Sequence, residues 1–196
     1  MMEASTHRIE PEPREWQPRA TWVSARLLCG AISFFFMSFL FGYFYLRLLN
    51  TNHAWKIGDV NPSIGFGAMI ASLFLISAVL FRLGIHRRDD TLATGVIAAL
   101  LGLAGVVLQF IQYATLNFGP ASGGYASVFF GWTAAYAVLA VAGLVWIEIQ
   151  TATLWRARSA GSSNDPELLA GLEACSFYWA YFAAIGVIAF IVLYLV

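Results

Sequence analysis

Residues 94–113 read TGVIAALLGLAGVVLQFIQY, twenty consecutive positions without a charged side chain. As an α-helix this stretch is about 30 Å long, the thickness of a bilayer's hydrocarbon core. Gly95 and Ala99 stand four apart, as do Ala98 and Gly102, so small residues recur at the spacing that lets helix backbones approach closely in lipid. A membrane-barrel strand would alternate apolar and polar residues, and this run is continuously apolar. It therefore reads as a membrane-spanning helix, because in lipid the backbone groups of such a segment must bond within the segment itself.

Working outward, the rest of the chain repeats the pattern. Of its 196 residues 60% are hydrophobic and 11% charged, where soluble domains carry about 45–50% and 25%. A soluble fold of this length could not hide so many apolar side chains. Besides Thr91 to Leu116, which contains the quoted stretch, four further segments are apolar: Ser24 to Leu49, Ile64 to Leu83, Tyr125 to Ile149 and Cys175 to Val196. Each has the length of a membrane crossing, about 20 to 26 residues. The expected fold is all-α: a polytopic membrane domain of five transmembrane helices over residues 24–196. The preceding residues 1–23 are charged and broken by Pro11, Pro13 and Pro18, without the apolar core of a secretion signal, and are expected to form a flexible tail.

Charge sets the expected orientation. Nine of the eleven Lys and Arg residues fall on one side of the spans: Arg8, Arg14, Arg19, Arg26, Arg82, Arg87, Arg88, Arg156 and Arg158. Arg47 and Lys56 fall on the other. The positive-inside rule then puts the N-terminus in the cytoplasm and the C-terminus outside, with Trp22 and Trp155 at the inner interface and Trp55 beyond the outer one.

The same inventory excludes several functions. Formal net charge is zero, so no basic field is present to hold nucleic acid. Cys29 and Cys175 form neither a disulfide framework nor a metal knuckle and read as structural. His7, His53 and His86 all lie outside the spans, so no pair of histidines can ligate haem or copper at mid-membrane. No phosphate loop and no histidine-paired nucleophile is present, and the chain alone is not expected to be catalytic. Glu148 is the one carboxylate inside a span, and it is expected near the headgroups, close to Arg156 or Arg158. Gln109 and Gln112 share a helix face by their spacing of three, with Tyr113 beside them, and are expected to make interhelical hydrogen bonds. The ring-rich first span, with Phe34, Phe35, Phe36, Phe39, Phe41, Tyr43, Phe44 and Tyr45, suits either lipid or a partner subunit.

Taken together, the last three spans resemble subunit III of the haem-copper respiratory oxidases, the cytochrome c oxidase type and its quinol-oxidising relatives. Where that family reads Q-x-x-E-Y, this chain has Gln109, Gln112 and Tyr113. The family's Y-G-S-x-F-F-x-x-T-G, with its later glycine, is matched by Tyr125, Ser127, Phe129, Phe130, Thr133 and Gly143. Its E-A-x-x-x-Y-W and closing tyrosine are matched by Glu173, Ala174, Tyr178, Trp179 and Tyr194, and a Y-x-x-x-R-like signature on the first span by Tyr43 and Arg47. Five helices fit the shorter bacterial form of the subunit. The departures remove ionisable groups: the family's buried glutamates fall at Ile32 and Gln112, its paired histidines at Tyr136 and Leu139, and a histidine and an aspartate at Ala180 and Ala183.

The resemblance implies a non-catalytic accessory subunit of a terminal oxidase in the aerobic respiratory chain of a bacterial cytoplasmic membrane. It implies that oxidase subunit I, with haem and copper, and other oxidase subunits are partners, and that phospholipid is held in the cleft of the bundle. The chain itself would carry no cofactor and no metal. The residues expected to shape packing or partner contact are Gln109, Gln112, Tyr113, Ser127, Thr133, Glu173, Tyr178 and Trp179. Alternative readings are an accessory subunit of a related nitric oxide reductase, a free-standing permease, and a structural subunit of an unrelated membrane complex. The permease is disfavoured because discontinuous helices and paired intramembrane charges are missing from the sequence.

Overall fold

A computed structural model describes residues 16–87 and 90–196, Thr51 by its backbone alone. The tail through residue 15, with His7, Arg8 and Arg14, and also Arg88, lies outside the described residues. Five long helices make up the fold: α1 (Gln17–Leu49), α2 (Ile64–Arg87), α3 (Thr91–Thr115), α4 (Gly124–Ser159) and α5 (Pro166–Phe190), the last running on into a π-helical turn, Ile191–Leu195. All five are long and apolar enough to cross a membrane, and there is no strand among the described residues. The protein is an all-α, multi-pass membrane protein.

The helices outrun the apolar segments at one end of the bundle. α1 begins at Gln17 with Pro18 in its first turn, so residues 17–23, expected in the tail, are helical. α4 continues through Arg156 and Arg158, basic side chains that suit a helix C-terminus, until Gly161 turns the chain at φ +72°. α5 starts well before Cys175, where Asp165 accepts a hydrogen bond from the Glu167 N–H and Pro166 fills the first turn. Apolarity marks where lipid is, and capping marks where the helix stops; the two differ by about three turns in α4.

α5 is the hub and packs against α1, α2 and α4, while α3 packs on α2 and α4. Successive helices alternate in direction, so α1 and α5 run parallel: Trp22 meets Phe177, and Ser33 meets Tyr181 at 2.6 Å. We call the end bearing Gln17, Arg87, Ser159 and Pro166 the N side and the opposite end the C side. On α1 the charges Arg26 and Arg47 are twenty-one residues apart, about 31 Å of helix, which matches a hydrocarbon core.

The C side is tied by the 50–63 loop. Ala54 and Trp55 carbonyls accept from Gly124 N–H at 3.0 Å and Tyr125 N–H at 2.9 Å, and Ile57 N–H reaches the Ser122 carbonyl at 3.2 Å. Gly123, at φ +109°, makes this possible: a Cβ there would sit 2.8 Å from both the Ala54 and Trp55 carbonyl oxygens. Arg47 adds a bond to the Val196 carbonyl at 2.8 Å.

Candidate functional site

The polar residues of α3 lie side by side and bond in two directions. On α3, Gln109 donates from Nε2 to Gln112 Oε1 at 3.1 Å, and the same oxygen accepts from the Tyr194 hydroxyl at 2.9 Å. The glutamines therefore bond along their own helix, and the interhelical bond to the pair comes from α5's π turn. Tyr113, one position on, leans the other way and donates to Thr133 Oγ1 of α4 at 2.7 Å; Thr133 in turn bonds its own Phe129 carbonyl at 2.6 Å. Gln109 and Gln112 are both buried. Beside them a cavity of about 30 Å³ is lined by Gln109, Trp132, Thr133, Tyr136 and Tyr194, among others, a volume sufficient for a water molecule. The Gln112 Nε2 and Trp132 Nε1 donors have no partner among the described residues.

A second set joins α5 to its other neighbours nearer the N side. Trp179 donates from Nε1 to Ser77 Oγ of α2 at 2.9 Å, and the Ser77 hydroxyl donates to the Ala98 carbonyl of α3 at 2.7 Å, so three helices share one chain of bonds. Tyr178 donates to the Leu139 carbonyl and Tyr136 to the Phe182 carbonyl, each at 3.2 Å. Tyr136 also stacks on Phe182 with centroids 4.1 Å apart. Gly143 is what lets α5's rings close on α4: a Cβ there would stand 2.7 Å from the Trp179 ring and 2.9 Å from Tyr178. The same small-residue logic holds on α3, where a Cβ on Gly102 would meet Leu144 at 2.7 Å and Trp179 at 2.8 Å.

Two of the expected residues stand apart from both sets. Ser127 is exposed near the start of α4 and donates to the Pro120 and Gly123 carbonyls, which fixes the turn before the helix. Glu173 is exposed on the N side of α5. Glu148 is exposed as well, but on the wall of a groove between α4 and α3 that Leu92, Val96, Ala99 and Leu103 also line. On an α-helix Arg156 and Arg158 lie about 12 and 15 Å farther along the axis than Glu148. The ring-rich α1 divides by face: Phe36 and Tyr43 are buried, Phe34 and Phe41 point away from the bundle.

Ser77, Tyr136 and the Ser33–Tyr181 pair are functional parts of this framework that sequence reasoning missed. A lone serine in the apolar run FLISAVLF carries no periodic mark, and only its three-dimensional neighbour, the Trp179 indole, gives it a role. Outside the membrane, the Lys56 amino group lies 4.5 Å over the Tyr125 ring and bonds Asn61 at 3.1 Å. Burial holds its pKa below the ordinary lysine value, with Arg47 acting the same way and Asp59 opposing.

What this arrangement can do chemically is narrow. The described interior offers hydroxyls, amides and indoles, which donate and accept hydrogen bonds, and among the described residues no three His, Cys, Asp or Glu side chains gather as a metal would need. No protein-family model matches this chain, and no curated protein matches it either.

Proposed function

We propose that this protein is a non-catalytic accessory subunit of a haem-copper terminal oxidase, resident in a bacterial cytoplasmic membrane with its N side toward the cytoplasm. Its contribution is to stabilise the haem- and copper-bearing catalytic subunit and to hold phospholipid; electron transfer to oxygen belongs to the partner. The observation that carries this reading is the convergence of the residues quoted for the subunit III resemblance. Gln112 bonds both Gln109 and Tyr194, the latter 82 positions beyond it, the adjacent Tyr113 bonds separately to Thr133, and Tyr178, Trp179 and Gly143 form a further contact. Motif residues that hold one another shape a scaffold, and a scaffold is what an accessory subunit contributes. The orientation is supported by the described basic residues on the N side, Arg19, Arg26, Arg82, Arg87, Arg156 and Arg158, against Arg47 and Lys56 on the C side.

The test is affinity capture of the full chain from its own membranes in mild detergent, with a reduced-minus-oxidised spectrum and mass spectrometry of the eluate. Haem bands with a co-purifying catalytic subunit are expected, and oxygen against nitric oxide turnover then separates the oxidase from the related reductase. A colourless chain that elutes without a haem protein contradicts the proposal.

A further inference from the structure

Along α1 the outward face keeps a strict seven-residue rhythm. Leu27, Phe34, Phe41 and Leu48 stand seven apart, each between 70% and 87% exposed, and Ser24, Ala31, Ser38 and Tyr45, also seven apart and exposed, fill the places between them. These alternating steps of three and four are those of a coiled-coil seam, which stays on one side of a helix for its whole length. The opposite face has the same rhythm: Ala25 with Ile32, and Cys29 with Phe36 and Tyr43, are buried. There the rhythm serves packing on α4 and α5. On the outward face nothing of the described chain covers it. Lipid asks of a helix face only that it be apolar, so lipid contact explains neither the period nor the small residues within it.

We propose that this strip is where a second copy of the chain docks, α1 against α1, about a two-fold axis normal to the membrane. Copies that insert the same way round present their α1 helices in parallel. In a parallel seam each Phe34 ring enters a hole formed by Ala31, Phe34, Phe35 and Ser38 of the other copy, and each Phe41 ring one formed by Ser38, Phe41, Gly42 and Tyr45. The small side chains in each hole leave the ring room, so the strip is its own complement. Ser38 bonds the Phe35 carbonyl at 2.6 Å, and its oxygen can still accept from its counterpart; one polar layer of this kind fixes the register of a seam. No charge lies in the contact: Arg26 and Arg47 follow Ser24 and Tyr45 by two positions, about 200° further round the helix, so like charges do not meet. Area is sufficient as well. Phe34, Phe41 and Tyr45 expose roughly 400 Å² on each copy, and with Leu27 and Leu48 two copies offer more than about 1,000 Å², the size of a specific interface.

This inference goes beyond the accessory role, and its test uses the chain alone, so it and the capture experiment fail separately. The full chain, labelled for single-molecule photobleaching, is reconstituted in vesicles over a range of protein-to-lipid ratios, and dimers that dissociate on dilution are expected. Phe34→Ala with Phe41→Ala weakens association by about tenfold or more, and Ala31→Leu, which fills the hole and leaves the rings in place, weakens it too. These positions face away from the bundle, so each variant keeps the fold of the single chain. Oxidation by copper phenanthroline cross-links Leu27→Cys, Ala31→Cys, Phe34→Cys and Ser38→Cys and spares Leu46→Cys, which is exposed but off the strip; Cys29 and Cys175 are buried, so the unaltered chain is not cross-linked. Monomers at every density would mean that lipid covers the strip. Association that ignores the ring and Ala31 substitutions, or cross-linking without the seven-residue rhythm, would put the contact on another face, and association only after a haem protein is added would give the strip to a different subunit. Each of these results overturns the proposal.

Discussion

Helices α1 and α5 look alike in composition and occupy opposite situations. Both are apolar and crowded with rings, yet Trp179 and Phe182 on α5 are 1% and 0% exposed, while Phe34 and Phe41 on α1 are 82% and 70% exposed. Two features separate them. α5 intersperses its rings with buried Ala174, Ala183, Gly186 and Ala189, which let neighbours close in. Its rings also carry polar atoms that find partners: the Trp179 indole on Ser77, the Tyr178 hydroxyl on Leu139, the Tyr194 hydroxyl on Gln112. The outward rings of α1 are mostly phenylalanines, with no polar atom to satisfy, and for these lipid is as good a surrounding as protein. Of the two α1 tyrosines near the C side, Tyr43 is buried against Trp55 and Tyr125, while Tyr45 stays exposed and stacks on the outward Phe41. In a membrane, apolarity selects what crosses, while small residues and the polar atoms on rings select what lies inside.

The contrast can be broken by substitution. Trp179→Ala removes the ring that fills the space between Gly102 and Gly143 and the indole donor to the Ser77 hydroxyl; destabilisation of about 3–5 kcal/mol is expected in reversible unfolding of the purified chain. Gly143→Val drives a side chain into the Trp179 and Tyr178 rings and should cost about 1–3 kcal/mol in the same assay. Phe34→Ala, on the outward face of α1, should change stability by less than about 0.5 kcal/mol. A Phe34→Ala cost equal to that of Trp179→Ala would erase the distinction between the helices. A cost that emerges only in the assembled complex would sharpen it, by marking the outward rings of α1 as a subunit contact.

The five crossings were legible from apolar runs, and so was the close packing of Gly95 and Gly102, because a spacing of four leaves a trace in one dimension. The glutamine pair was legible as a shared face; that its interhelical partner is Tyr194 was not, since nothing local links positions 112 and 194. Helix ends on the N side ran past the expected limits because backbone bonding continues beyond lipid until a cap or a glycine stops it, as at Gly161. Ser77 was invisible for a related reason: its role exists only where α2, α3 and α5 meet. The face that Glu148 presents, toward α3, depends on helix packing and leaves no local mark in the sequence.

The measurement that bears most directly on the central claim, that this interior is a hydrogen-bonded scaffold with no essential proton-carrying group, is oxygen consumption by the captured complex carrying Gln112→Leu. Gln112 accepts from both Gln109 and Tyr194 and stands at the centre of the bonded group. Turnover within about twofold of the unaltered complex is expected, since the loss of a membrane hydrogen bond costs only about 0.6–2 kcal/mol of packing. Complete loss of turnover in a complex that still assembles with its haem partner would contradict the scaffold and make the Gln109–Gln112–Tyr194 group a working polar pathway.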